Sequence, residues 1–314
     1  TVFIAASETD ANLYYATKFI APDPFIYLEI KGERILVMSD LEMDRAKGQS
    51  SVDRVLSYSE VEGRAKTQGI AEPGTVEVVH ILLREAGITQ ILVPANFPFG
   101  HALKFQSLGY QLFPKRDPFY EQRVVKTAEE VGYIEAAQRA TEQAVAAAFD
   151  LLRKASINKD QLWFEGIPLT SERVKKLINV ALMECDCVAQ HTIVAGGEQA
   201  CDPHNEGSGP LPAHRSIIFD VFPRSATNRY FADMSRTVVR GTPSPELKRL
   251  YKTVLAAQEE AITKVKDGAD GKRIHQGILA RFEKAGYQTG LVNGRMQGYF
   301  HGTGHGVGLD IHEM

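Results

Sequence analysis

Apolar and polar residues recur with two different periods along this chain, and the change from one period to the other outlines its elements. Residues 25–30 (Phe-Ile-Tyr-Leu-Glu-Ile) and 34–38 (Arg-Ile-Leu-Val-Met) are short runs rich in β-branched and aromatic side chains. They predict two strands, joined through Lys31-Gly32-Glu33 as a hairpin turn. Between residues 75 and 86 the apolar positions Val78, Val79, Leu82, Leu83 and Ala86 follow a period close to 3.6, and Gly87 comes next, the pattern of a helix with a stop signal. Gln90 to Val93 reads as a later strand. Strand, helix and strand in this order predict a mixed sheet in the first third of the chain.

Residues 113–120 (Phe-Pro-Lys-Arg-Asp-Pro-Phe-Tyr) are rich in proline and charge, and a very long helical pattern follows over residues 127–154. In it Ile134, Ala137, Thr141, Val145, Ala148 and Leu152 recur every three or four residues, which suits a helix laid across a sheet. A domain boundary is expected here, giving an N-terminal α/β domain of residues 1–119 and a second domain of residues 120–314. Within the second, a helix is predicted over 171–184 with Ser171 as its N-cap. Strands are predicted over 191–194, 216–222 and 230–239, and helices over 244–265 and 271–285.

Composition narrows the class. A chain of 314 residues that is 44% hydrophobic and 24% charged is ordinary globular material. A net charge of -3 gives no electrostatic case for nucleic acid or an anionic membrane as the main partner, and a small molecule or peptide fits better. No apolar run reaches the length of a membrane span, and the first residues are too short an apolar stretch for a signal peptide, so a cytoplasmic location is expected. Three cysteines, Cys185, Cys187 and Cys201, argue against a disulfide framework and for reduced, structural thiols.

The chemistry is concentrated near the end. His301, His305 and His312 lie in a stretch that also carries Gly302, Gly304, Gly306 and Gly308. Each glycine disfavours helix by roughly 1 kcal/mol relative to alanine, so the block is strand or loop. The i, i+4 spacing of His301 and His305 is that of a helical zinc-protease motif, but Gly302 stands where that motif needs glutamate. A dinucleotide-binding run beginning at Gly302 fails at Val307. Upstream, Asp220 sits in Ile-Ile-Phe-Asp-Val-Phe and Asp233 in Tyr-Phe-Ala-Asp-Met-Ser-Arg-Thr, two apolar strands each with a carboxylate in its middle. A buried carboxylate needs a cation or a full set of hydrogen bonds, and an ion pair with Arg224 or Arg236 would serve for either one alone. Two such carboxylates with a histidine cluster downstream favour a metal site, since carboxylate oxygen and imidazole together suit manganese, cobalt, zinc or iron.

Asp220, Asp233 in Ala-Asp-Met-Ser-Arg-Thr, His305 in His-Gly-Thr-Gly-His-Gly-Val-Gly-Leu and His204 in Asp-Pro-His-Asn, in this arrangement, resemble the pita-bread metallopeptidases, aminopeptidase P and prolidase among them. The resemblance covers most of residues 120–314, while residues 1–119 are similar only in size and character to the creatinase-type domain of that family. It implies an α/β (α+β) protein with a curved antiparallel sheet covered by helices in its second domain. It implies two divalent ions, manganese first and cobalt or zinc as alternatives, held by Asp220, Asp233 and His305. His204 and His312 would be catalytic, and His301 and His312 would contact a peptide substrate. The activity implied is removal of N-terminal residues before proline, by an aminopeptidase or dipeptidase working as a homodimer. A creatinase-like amidinohydrolase that needs no metal, and a pita-bread module that only binds peptides or proteins, are the alternatives.

Two departures accompany the resemblance. Phe222 and Pro223 stand where the family usually has glycine two residues after the first aspartate, and the two aspartates are two residues further apart than is common. A hairpin turn two residues longer is expected, and an even change keeps both carboxylates on one face. The family also draws two glutamate ligands from strands after the histidine block, whereas this sequence reaches Met314; a weakly metal-occupied, inactive 314-residue chain is the expectation.

Overall fold

The computed structural model describes residues 1–313, which divide into two compact units between Val125 and Lys126. The division thus falls beyond the proline-rich segment, at the residue before the cap of the long helix, against the expected boundary at 119/120.

In the first unit four strands form one sheet in the order Val2–Ala5, Phe25–Ile30, Glu33–Met38 and Arg54–Ser57. The first three pair antiparallel and the last joins parallel. The turn between the central two is Lys31 and Gly32, both left-handed at φ 52° and 86°, the conformation a tight hairpin demands, and Glu33 already belongs to the strand. Both faces of this sheet are covered, which is why its strands read as continuous apolar runs. Ile26, Leu28, Ile35 and Val37 pack with Val78, Val79 and Leu82 of the helix Thr75–Glu85, while Tyr27, Leu36 and Met38 pack with Leu13 and Phe19. Gln90–Pro94 and Gln111–Lys115 form a separate parallel pair.

The second unit is built on the helix Ala128–Lys154, fixed at its start by a capping box in which Thr127 and Glu130 satisfy each other's backbone N–H groups. Its buried stripe is made of small residues, Ala137, Ala140, Thr141, Ala144 and Ala148, with Val145 and Leu152. Those short side chains pack against the helix Ser171–Met183 and a three-stranded antiparallel sheet of Ile193–Gly196, Ile217–Val221 and Met234–Val238. The central strand alternates: Ile217, Phe219 and Val221 are fully buried on the helix side, and Ile218 and Asp220 face the other way. Further along, the helices Pro245–Lys264 and Gly271–Lys284 pair around Ala257, Ala261, Ile278 and Phe282.

Several local expectations are corrected. Thr170, not Ser171, caps the helix Ser171–Met183; Ser171 is fully buried, and its hydroxyl donates instead to the Val194 carbonyl at 2.7 Å. The strand placed at 191–194 begins at Ile193, because His191 adopts a left-handed φ of 59°. The strand placed at 230–239 begins at Met234, so Asp233 precedes it rather than lying in its middle. Residues 222–233 are more than a lengthened hairpin turn, since Arg224–Ser225 leaves to pair with Cys187–Val188. Cys185, Cys187 and Cys201 are free thiols, Cys187 buried in that small pairing. Among the described residues no helix is long and apolar enough to cross a membrane.

Candidate metal centre

Asp220 and Ser235 face each other across the antiparallel pair, and the Ser235 hydroxyl donates to Asp220 Oδ1 at 2.5 Å. Asp233 is two residues before Ser235, just ahead of the strand, and lies close enough to Asp220 to feel its charge. The Asp233 carboxyl is pushed above its ordinary range, first by burial and next by the negative charge of Asp220, with His305 and His312 opposing the shift. Two carboxylates, one of them poorly hydrated, and two imidazoles therefore share one electrostatic neighbourhood. Gln138, on the long helix, accepts a 3.4 Å hydrogen bond from the Asp233 backbone N–H.

The glycine-rich block is a loop, as expected, and hydrogen bonds hold it against the Asp233 segment. The backbone N–H of Phe231 donates to the Gly308 carbonyl at 2.7 Å, and Gly306 and Glu313 exchange a pair of backbone hydrogen bonds of 2.8 Å each. This fold-back brings the His305 and His312 rings together edge to face, with centroids 4.5 Å apart and planes at 89°. His305 Nδ1 lies 2.9 Å from the Gly306 carbonyl and its Nε2 lies 3.4 Å from Asp233 Oδ2. With one ring nitrogen taken by a carbonyl, the other is left to face the carboxylate, the orientation a metal-binding imidazole requires.

The remaining predicted histidines stand elsewhere. His204 is exposed, with its backbone N–H turned back to Asp202, and among the described residues no hydrogen bond or ion pair joins it to Asp220, Asp233, His305 or His312. Its loop does run beside the strand that carries the first partner of Asp220: Val194 N–H donates to the Glu206 carbonyl, and Ile193 pairs with Asp220. Gly207 has to be glycine there, because at φ 78° a Cβ would lie 2.0 Å from the Val194 carbonyl oxygen. His301 packs on Tyr299 with ring centroids 4.6 Å apart, and Tyr299 in turn packs on Phe282. That contact belongs to the helix pair, and His301 does not join the other two histidines of its block.

Among the described residues no three His, Cys, Asp or Glu side chains close into a cage of metal-holding dimensions. The donors present nevertheless fit a divalent ion. They are oxygen and imidazole nitrogen, they meet on one open sheet face, and the penalty on ionised Asp233 is one that a bound cation would reverse. Sequence reasoning passed over Ser235, Gln138, Glu313 and Lys126, which support the site without carrying its chemistry. Ser235 could have been found from the alternation of the strand alone.

Two aspartates and two histidines brought together on an α/β fold are donors of the kind that hydrolytic metal sites use. The chain belongs to metallopeptidase family M24, whose sequence profile matches residues 132–314. Among curated relatives it is 25% identical over 307 residues to an Xaa-Pro dipeptidase of Pyrococcus horikoshii, covering 96% of this chain and 76% of that one. It is 27% identical over 198 residues to the Xaa-Pro dipeptidase of Pyrococcus furiosus, covering 63% of this chain and 51% of the relative, so the match spans about half of that protein. The solved prolidase from Pyrococcus furiosus superposes with a TM-score of 0.75 at 22% identity, covering 97% of this chain and 80% of that structure, which establishes a common fold.

Proposed function

We propose that this protein is a two-metal hydrolase that removes N-terminal residues from peptides, acting before proline as a dipeptidase or aminopeptidase. The observation that carries the proposal is the convergence of Asp220, Asp233, His305 and His312 on one open face, with His305 Nε2 turned 3.4 Å from Asp233. Two divalent ions, best manganese with its preference for oxygen donors, or else cobalt or zinc, would supply a hydroxide nucleophile and polarise the scissile carbonyl. Asp220, steadied by Ser235, and Asp233 would hold them through carboxylate oxygens, and His305 through Nε2.

The chain's other residues have the work of orienting substrate and moving protons. His312, edge-on to His305, is free to donate to the carbonyl of the bond to be cut. His204, on a loop tethered beside the partner strand of Asp220, is assigned the acid–base role at the leaving nitrogen. For His301 the contact with Tyr299 favours packing over the substrate role expected of it. The resemblance to prolidases carries a homodimer and a cytoplasmic location into the proposal, and residues 1–119 as a creatinase-type domain.

Incubation of the full-length protein with an Xaa-Pro dipeptide in Mn²⁺, followed by detection of free proline, tests the reading. Proline release that stops on adding chelator, with a matched Xaa-Ala dipeptide cut far more slowly, is the expected result. Equal cleavage of both dipeptides would overturn the proline preference. Hydrolysis of a guanidino substrate, indifferent to chelator and with no cleavage of either dipeptide, would favour the metal-independent amidinohydrolase, and metal binding with no turnover of any peptide would favour a binding module.

A further inference from the structure

The Lys126–Glu313 ion pair lies just behind the histidine loop and takes no part in the chemistry described so far. Lys126 Nζ is 2.7 Å from Glu313 Oε2, and the two side chains are only 14% and 7% exposed. The other carboxylate oxygen of Glu313 accepts the backbone N–H groups of Leu309 and Asp310 at 3.0 and 3.1 Å. Its main chain exchanges both hydrogen bonds with Gly306, so one residue closes the loop through backbone and side chain together. Gly308 lies against the same carboxylate: a Cβ at that position would come within 2.6 Å of Glu313 Oε2.

His305 adjoins Gly306 and His312 adjoins Glu313, so the two histidines are the immediate neighbours of the two residues that this closure clamps. Lys126 immediately precedes Thr127, the N-cap of the long helix, and the same helix holds Tyr230 through Glu130 at 2.6 Å and the Asp233 backbone through Gln138. A rigid helix thus fixes both sides of the Asp233–His305 contact.

We infer that Lys126 and Glu313 are positioning residues: their buried ion pair locks the 306–313 loop and thereby sets the His305 and His312 rings edge to face and aims His305 at Asp233. A buried charge pair suits this use because each partner is held in place by the penalty of leaving the other unpaired. The inference rests on the proposed site, but it concerns ring geometry, which can be read without turnover.

Histidine side-chain NMR of the chelator-treated protein supplies the readout. At 4.5 Å and 89° each ring shifts the other's proton resonances away from those of an exposed histidine such as His204. Lys126→Met and Glu313→Gln should each collapse both shifts toward the His204 values, whereas Lys126→Arg, which keeps the pair, should retain them. In metal-loaded enzyme the two disruptive variants should lose roughly 10- to 100-fold in kcat with KM little changed, the scale of loss when the support of a ligand is removed. Unchanged His305 and His312 resonances in both Lys126→Met and Glu313→Gln would overturn the inference. Should Lys126→Met unfold, Glu313→Gln keeps the backbone acceptor and decides alone. Collapsed shifts in a protein that never cleaves peptides would uphold the positioning role and refute the peptidase reading instead.

Discussion

The Nε2 atom of His305 lies 3.4 Å from Oδ2 of Asp233, although the two residues come from segments that a helix pair and a hairpin separate in the chain. The contact leaves the His305 and Asp233 side chains 35% and 30% exposed. Without a cation it is an imbalanced arrangement, because burial and the charge of Asp220 together outweigh the help Asp233 receives from His305 and His312.

That imbalance gives stability a sign. Asp233 has a raised folded value, so its contribution is fully present below its ordinary value of 3.8 and is lost as pH rises through the raised value. Asp233→Asn removes the charged form, and in metal-free protein it should raise the melting temperature at pH 7 while leaving it unchanged near pH 3. A lower melting temperature for the variant at pH 7 would show that the His305 contact outweighs the repulsion.

Tyr230 and Glu130 are both buried, and the Tyr230 hydroxyl donates to the carboxylate at 2.6 Å. Tyr230→Phe strips a buried charged acceptor of one donor and should destabilise the second unit by about 1–3 kcal/mol. Urea unfolding followed by tryptophan fluorescence, with Trp163 in the same unit, measures it. A change well under that range would mean the carboxylate finds another donor.

Gly308→Ala sets a methyl group within 2.6 Å of the clamped Glu313 carboxylate. Glu313 cannot swing aside without giving up Lys126 and two backbone N–H groups, so the substitution should destabilise by about 1–3 kcal/mol and disturb the His305 and His312 ring resonances together. Thermal melting beside NMR checks both effects, and a melt like wild type with undisturbed rings would show a loop softer than described.

His204 and Asp233 should differ in kind. In full-length protein, Asp233→Ala is expected to abolish both metal retention and turnover. His204→Ala should lower kcat by roughly 10²–10⁴-fold with metal content unchanged, the range for a lost acid–base group. Metal analysis alongside kinetics separates them, and metal loss in the His204 variant would reassign that residue as a ligand.

Local periodicity carried most of the fold into the sequence. The helix Thr75–Glu85 and the strand Phe25–Ile30 were legible because each buries its apolar residues at the spacing its geometry dictates. Asp220 was legible as a polar residue in an otherwise apolar strand, and so was the partner strand, although it begins one residue after Asp233. What was not legible depends on tertiary contacts. Ser171 looks like a cap until the strand beside it claims its hydroxyl, and His301 looks equivalent to His305 until Tyr299 draws it to the helix pair. Lys126 and Glu313 lie at opposite ends of the second unit, and no local pattern pairs them.

The central claim is that Asp220, Asp233 and His305 are donors to a common metal centre, and calorimetric titration of Mn²⁺ into the protein tests it most directly. The account expects saturable binding that weakens at least about 10-fold in Asp220→Asn, Asp233→Asn and His305→Ala alike, the scale on which even supporting residues of a metal site act. Binding of equal strength in the wild type and all three variants would contradict it.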